Sequence, residues 1–276
     1  MILISYKDFN TLYQDVVRSV FEHWSPQMQK EIAIHCYSWG PGRFDFRNYL
    51  QLSSIRFYKA YRSVAGRGSS QKVCDVGGFW GVFPLILKAL GYDVIMTESL
   101  RYYGGSFDSL FKYITDNGVT ILDYDPFQPE ASLQDHFDVV TIMAVLEHYP
   151  HSLRTFMKNI AAMMKLDGRV YIEVPNLVYW PKRINFLLGR TPQPPIKEIF
   201  YSEVPFIGHH HEFTISELRD LAVLSNLEII SESYYNYSQK GNRLMRLLRH
   251  PFSTLVFSIV PSARECLAIM CSKKRA

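Results

Sequence analysis

Between Lys72 and Val174 the sequence holds five short apolar runs, separated by stretches in which apolar residues recur three and four positions apart. That alternation restricts the chain to parallel strands joined by right-handed crossovers. The runs are Lys72 to Val76, Asp93 to Thr97, Val119 to Leu122, Phe137 to Ala144 and Arg169 to Val174. Helical spacing fills Gly81 to Leu90, stopped by Gly91, then residues 105–117, stopped by Gly118, and Ser152 to Lys165. Thr214 and Glu217 make a Thr-x-x-Glu capping box ahead of Leu218, Leu221 and Leu224. Two further runs, Leu227 to Ser233 and Glu265 to Ser272, bring the expected strands to seven.

Residues 1–68 mix helical spacing with many aromatics, including Trp24, Trp39, Phe46 and Phe57, and read as an N-terminal helical cap. Ala65 to Ser70 is a glycine- and serine-rich hinge, so the second domain is placed at 69–276. Residues 176–213, rich in proline and aromatics and without a clean period, read as a lid, and loops of this length inside a domain are commonly functional. Residues 239–261 read as a C-terminal insertion. Within it Arg243, Arg246 and Arg249 interleave with leucines, so 240–260 is a candidate for peripheral membrane contact, against the plainer reading of a packing helix with a basic edge.

A net charge of +4 spread along the chain excludes the concentrated basic face that duplex binding needs, so no nucleic-acid partner is expected. The four cysteines stand far apart with no Cys-x-x-Cys pair, which points to reduced thiols rather than a disulfide framework or zinc ribbon. No signal-peptide stretch and no bilayer-length apolar run occurs, and the expected location is the cytoplasm.

The chemistry is expected at Asp75-Val76-Gly77-Gly78-Phe79-Trp80-Gly81, which ends the first strand and opens the first helix, where an open sheet has its ligand crevice. Glycines there let backbone approach a ligand, and a helix N-terminus offers unpaired N–H groups. Glu98 closes the second strand, where an acid can accept hydrogen bonds from ribose hydroxyls. The dinucleotide fingerprint Gly-x-Gly-x-x-Gly, started at Gly77, would need glycines at Phe79 and Val82, so a pyrophosphate site fits poorly.

On these residues, with Tyr124-Asp125-Pro126-Phe127, Phe137-Asp138-Val139-Val140, Ala144-Val145-Leu146-Glu147-His148 and His211-Glu212-Phe213-Thr214, the chain resembles the class I S-adenosylmethionine-dependent methyltransferases. It looks most similar to the bacterial branch that methylates sugars, glycans and other small molecules, over roughly residues 69–234 plus the last strand. The resemblance implies an α/β, Rossmann-like, doubly wound seven-stranded sheet with the last strand antiparallel, and S-adenosylmethionine as cofactor. It also implies cofactor contacts from Asp75, Gly77, Gly78, Phe79, Gly81, Glu98, Ser99, Asp125, Pro126, Phe127, Ala144 and His148. Within that set Asp125 would accept from the adenine amine, Phe127 would pack by the ring, and the turn from Ala144 to His148 would border the sulfonium. The family usually has glycine where this chain has Phe79.

A hydroxyl acceptor must lose a proton near the transition state, and His148 and His211 are the expected catalytic histidines, drawn from His148, His151 and His209 to His211. A metal-dependent alternative would join His148, His151 and the triple histidine with Glu147 or Glu212 into an N/O site, but three adjacent histidines cannot all face one ion and the resemblance does not require metal, so none is expected. The expected reaction is O-methylation of a sugar or glycan hydroxyl on a cell-surface polysaccharide or glycosylated metabolite. N-methylation of an amino sugar or small amine, and a non-catalytic cofactor-binding partner subunit, are the alternatives.

Overall fold

The computed structural model describes residues 3–66, 71–238, 245 and 248–274. Seven strands form one sheet in the order β3-β2-β1-β4-β5-β7-β6. They are β1 (Lys72–Val76), β2 (Asp93–Glu98), β3 (Thr120–Asp123), β4 (Phe137–Met143), β5 (Met164–Pro175), β6 (Leu227–Tyr235) and β7 (Cys266–Lys273). Strands β1 to β5 pair in parallel, and β7 runs antiparallel to both β5 and β6. Strand order reverses between β1 and β4, which opens a crevice at their carboxyl ends, where such sheets bind ligands.

The strands bury both faces, as parallel strands covered by helices must. On one face Val73, Val94, Met96 and Val139 join a cluster built from the first four helices, α1 (Tyr6–Glu22), α2 (Pro26–Ala33), α3 (Phe46–Leu52) and α4 (Ser54–Ala65), with α5 (Val82–Ala89) and α6 (Asp108–Asp116). On the other, Cys74, Val140, Ile142 and Ile172 pack against α7 (Leu153–Met163) and the later helix Ile215–Leu224. The alternation of Val73 inward to one cluster and Cys74 to the other is the period of two that a strand imposes. The N-terminal helices thus form part of one of the sheet's two hydrophobic layers.

Differences from the sequence expectations have local causes. Residues 176–213 contain α8 (Trp180–Leu187) and α9 (Ile196–Tyr201), and the segment is pinned rather than loose. Asn176 Nδ2 donates to the carbonyls of Ser262 and Arg264, and the amides of Glu203 and Ile207 donate to the carbonyls of Ile34 and His35 in the turn after α2. Strand β5 starts before Arg169, because Met164 pairs with Phe137 before the register shifts to Val139 opposite Arg169. The capping box forms as read, with Thr214 Oγ1 accepting from the Glu217 amide and Glu217 accepting from the Thr214 amide, and it opens α10 (Ile215–Leu224). The proposed hinge lies partly outside the described residues, as do 239–244 and 246–247 of the basic stretch. The helix Pro251–Ile259 follows, with Phe252, Leu255 and Ile259 exposed. Among the described residues no helix is long and apolar enough to cross a membrane.

Candidate active site

A cavity of about 590 Å³ occupies the crevice between β1 and β4. Its floor is the turn after β1, where Gly77 and Gly81 have positive φ and Trp80, at φ 69°, joins them. A Cβ at Gly77 would stand 2.6 Å from Val145 Cγ2, and one at Gly81 2.5 Å from Ile114 Cδ1. Glycine is therefore required by protein packing at this turn as well as by backbone conformation. Gly81 is buried and does not line the cavity, so the expected direct cofactor contact there is not formed by this residue. Phe79 lines the cavity wall, its ring between those of Trp39 and Tyr103 at centroid distances of 6.4 and 6.0 Å.

Of the residues expected to hold a cofactor, Asp75, Gly77, Gly78, Phe79, Glu98, Ser99, Asp125, Pro126, Phe127, Ala144 and His148 all line this one cavity. Asp75 is buried at the end of β1 and accepts a 2.6 Å bond from Thr141 Oγ1. Glu98 Oε2 accepts from the Tyr103 hydroxyl at 2.9 Å, while Oε1 is buried without a partner. Burial pushes both carboxyls up to about 7, against the opposing effect of those hydroxyl donors. Asp125 Oδ2 accepts from Ser99 Oγ at 2.7 Å, and the Phe127 ring stacks on Tyr149 at 5.0 Å.

The opposite end of the cavity is polar. Glu147 sits in a turn after β4, is 0 % exposed, and has both carboxylate oxygens buried without a partner. Burial raises its carboxyl to about 7. His209, from the segment ahead of α10, lies beside it, with Nδ1 3.0 Å from Glu212 Oε1, and Lys182 of α8 pairs with Glu212. Burial lowers His209, but bonding to Glu212 and the charges of Glu147 and Glu212 together raise it above the ordinary histidine value. His148 Nδ1 is 2.7 Å from the Ile207 carbonyl, and burial pulls its pKa down to about 3.

These geometries keep one of the two expected catalytic histidines at the cavity and remove the other. His148 lines the cavity as expected, and burial together with the neighbouring His209 favours its neutral form. His211 points out of the cavity, exposed, with Nε2 3.0 Å from Glu217 Oε1 at the start of α10. His210 turns to the Phe206 carbonyl, so the three consecutive histidines diverge and only His209 reaches the cavity. His151 packs its ring against Phe127 instead. Of the lid aromatics, Tyr179 and Phe206 line the cavity, whereas Phe186, Phe200 and Tyr201 are exposed elsewhere.

Arg56 is a cavity residue the sequence did not disclose. It reaches from α4 to Glu173 on β5, with Nε 2.7 Å from Oε2 and both side chains buried. A cation on an otherwise apolar helix face was the available signal, but its partner lies 117 residues away.

Residues 47–232 match a family model described as a methyltransferase domain. Solved structures share the fold. A SAM-dependent methyltransferase from Archaeoglobus fulgidus aligns with TM-score 0.52 at 15 % identity, covering 79 % of this chain and 93 % of that one. An S-adenosylmethionine-dependent methyltransferase from Mesorhizobium loti aligns with TM-score 0.56 at 14 % identity, covering 80 % and 99 %. A Haloferax volcanii putative methyltransferase, in complex with the Trm112 methyltransferase activator, aligns with TM-score 0.55 at 13 % identity, covering 84 % and 95 %. No curated protein sequence matches the chain.

Proposed function

This chain belongs to the methyltransferase-domain family, and we propose that it transfers a methyl group from S-adenosylmethionine to a hydroxyl of a sugar or glycan. The cavity residues fit that donor. The unpartnered Oε1 of Glu98 can accept from a ribose hydroxyl, and Asp125, whose Oδ2 alone is bonded to Ser99, keeps Oδ1 for the adenine amine. Phe127 offers an apolar ring edge to the base, and Asp75, beneath the glycine turn, offers negative charge toward the amino-acid end. The donor supplies an already activated methyl group, so the protein's part is alignment and exclusion of water.

The observation that carries the hydroxyl reading is Glu147: a wholly buried carboxylate with no partner for either oxygen, in the same cavity as the glycine turn. An amine with a free lone pair needs no such group, whereas a hydroxyl must give up its proton as the new bond forms. The polar end formed by Glu147 and His209 is where the acceptor oxygen sits and loses that proton. Trp39, Phe79, Tyr103 and Phe206 line the same cavity and supply apolar surface that suits the apolar face of a sugar. Bonds from Glu203 and Ile207 to Ile34 and His35, and from the Tyr37 amide to Ser202 Oγ, tie the segment carrying Phe206 and His209 to the N-terminal region.

Incubation of the protein and S-adenosylmethionine with sugar nucleotides and glycan extracts, followed by mass spectrometry, tests the reading. The expected product gains one methyl on oxygen, and Glu147→Gln lowers kcat at least tenfold with little change in donor affinity. Methyl transfer to nitrogen alone, or full turnover by Glu147→Gln, would overturn it.

A further inference from the structure

We propose that Glu147, His148 and His209 form a binding site for a divalent cation of the zinc and cobalt type at the polar end of the cavity. One candidate ligand atom from each residue lies within 4.8 Å of the other two. Ligand atoms around a tetrahedral zinc are roughly 3.3 Å apart, so side-chain rotation of about 1 Å completes the set. Two imidazoles and one carboxylate are the donor types that such ions prefer, and only three protein ligands leave positions open toward the cavity.

Two independent features of the surroundings point to an ion. Both oxygens of Glu147 are buried without a hydrogen-bond partner, and a carboxylate in that condition is costly unless something positive meets it. His209 lies beside Glu147 without reaching ion-pair distance, its Nδ1 meeting Glu212 instead. The imidazoles, moreover, are already oriented through their outer nitrogens. His148 Nδ1 is 2.7 Å from the Ile207 carbonyl, and His209 Nδ1 is 3.0 Å from Glu212 Oε1, with Lys182 holding Glu212. A carbonyl or carboxylate on Nδ1 fixes the tautomer and leaves Nε2 as the electron-pair donor, which is how metal-bound histidines are held. The two segments are also stitched together, since the His210 amide donates to the Glu147 carbonyl at 2.6 Å.

Three adjacent histidines cannot converge on one ion, which is why no metal is expected from the sequence. They do diverge, and the site needs only one of them, combined with the Glu147-His148 turn. The role of the ion rests on the proposed O-methylation: one Glu147 oxygen would hold the ion, which would make a hydroxyl acceptor more acidic, and the other Glu147 oxygen would take the proton. The site itself does not depend on that reading.

Chelator-treated protein titrated calorimetrically with zinc chloride, and separately with cobalt chloride while its visible absorption is followed, tests the site in the absence of donor. One ion per chain is expected. Glu147→Gln and His209→Ala should each weaken binding at least tenfold, the lower end of what loss of even an outer-shell partner costs. His211→Ala, outside the cavity, should bind like the parent protein, and melting curves confirm that each variant is folded. No saturable uptake, or Glu147→Gln binding like the parent, would overturn the site. A parallel titration with S-adenosylmethionine separates the two readings: donor binding without metal binding removes this site alone, and metal binding without donor binding removes the methyl-transfer reading alone.

Discussion

Glu98 is asked to do two things with one carboxylate. Oε2 is already engaged by the Tyr103 hydroxyl, and Oε1 is left over in a buried position at the end of β2. A ribose hydroxyl donating there makes a hydrogen bond to a charged acceptor, worth about 1.5–3 kcal/mol. Glu98→Gln keeps the shape and the Tyr103 contact but removes the charge, so the Kd for S-adenosylmethionine should rise about 10- to 100-fold by calorimetry. Unchanged affinity would place the ribose elsewhere. Gly81 presents the opposite case, a residue whose effect is on the fold and reaches the ligand only indirectly. Its φ of +68° disfavours any side chain, and an added Cβ would press on Ile114 Cδ1 at 2.5 Å. Gly81→Ala should destabilise by about 1–3 kcal/mol in urea unfolding, through left-handed strain and overpacking. Read from sequence, that glycine looked like room for a cofactor; the reason it must be glycine is a methyl group on α6.

Helix α4 is tied to the sheet by charge as well as by apolar packing. Arg56 and Glu173 are both buried, the guanidinium is further held by the Tyr49 hydroxyl, and Glu173 lies on β5 beside the antiparallel β7. Removing one partner leaves a charge with no compensation in a low-dielectric site, so Arg56→Met should cost about 3–5 kcal/mol of stability. The double variant Arg56→Met with Glu173→Gln should recover much of that loss, and a double variant no better than the single one would show that the guanidinium acts through packing instead. This pair also marks what could be read in the sequence. The strands of the parallel region, the helix stops at Gly91 and Gly118, and the Thr214 capping box are set by neighbours a few residues away, and they were legible. The crevice residues of β1 and β2 were legible for the same reason, since a glycine turn and a strand-ending acid are local patterns. Arg56–Glu173 and Glu147–His209 join segments 117 and 62 residues apart, and no local pattern encodes which histidine of three will face inward. His209 is selected by Glu212, three residues on and buried, whereas His211 is drawn outward by Glu217, which the capping box fixes at the surface.

On the scale of the whole molecule, the crevice concentrates buried acid. Asp75, Glu98 and Glu147 are each pushed up to about 7 by burial, from ordinary values of 3.8 for Asp and 4.5 for Glu. A carboxyl whose folded pKa is raised binds its proton more tightly folded than unfolded, so stability falls as pH rises from about 4.5 and levels off above about 7. His148, held near 3 by burial, contributes the opposite slope between about 3 and 6.5, while Asp125 and His209, both raised, add to the fall. The protein without donor should therefore melt at a lower temperature at pH 7.5 than at pH 5.5. S-adenosylmethionine brings a sulfonium and an ammonium to this crevice, and both favour the ionised carboxylates, so donor affinity should rise over the same interval. The increase in Tm on adding donor is expected to be larger at pH 7.5 than at pH 5.5, while Glu98→Gln, with one of the three acids gone, shows a shallower dependence with and without donor. A donor-induced increase that shrinks as pH rises would mean that the donor's positive charges lie away from these acids, and that Asp75 and Glu98 are buried for the fold alone.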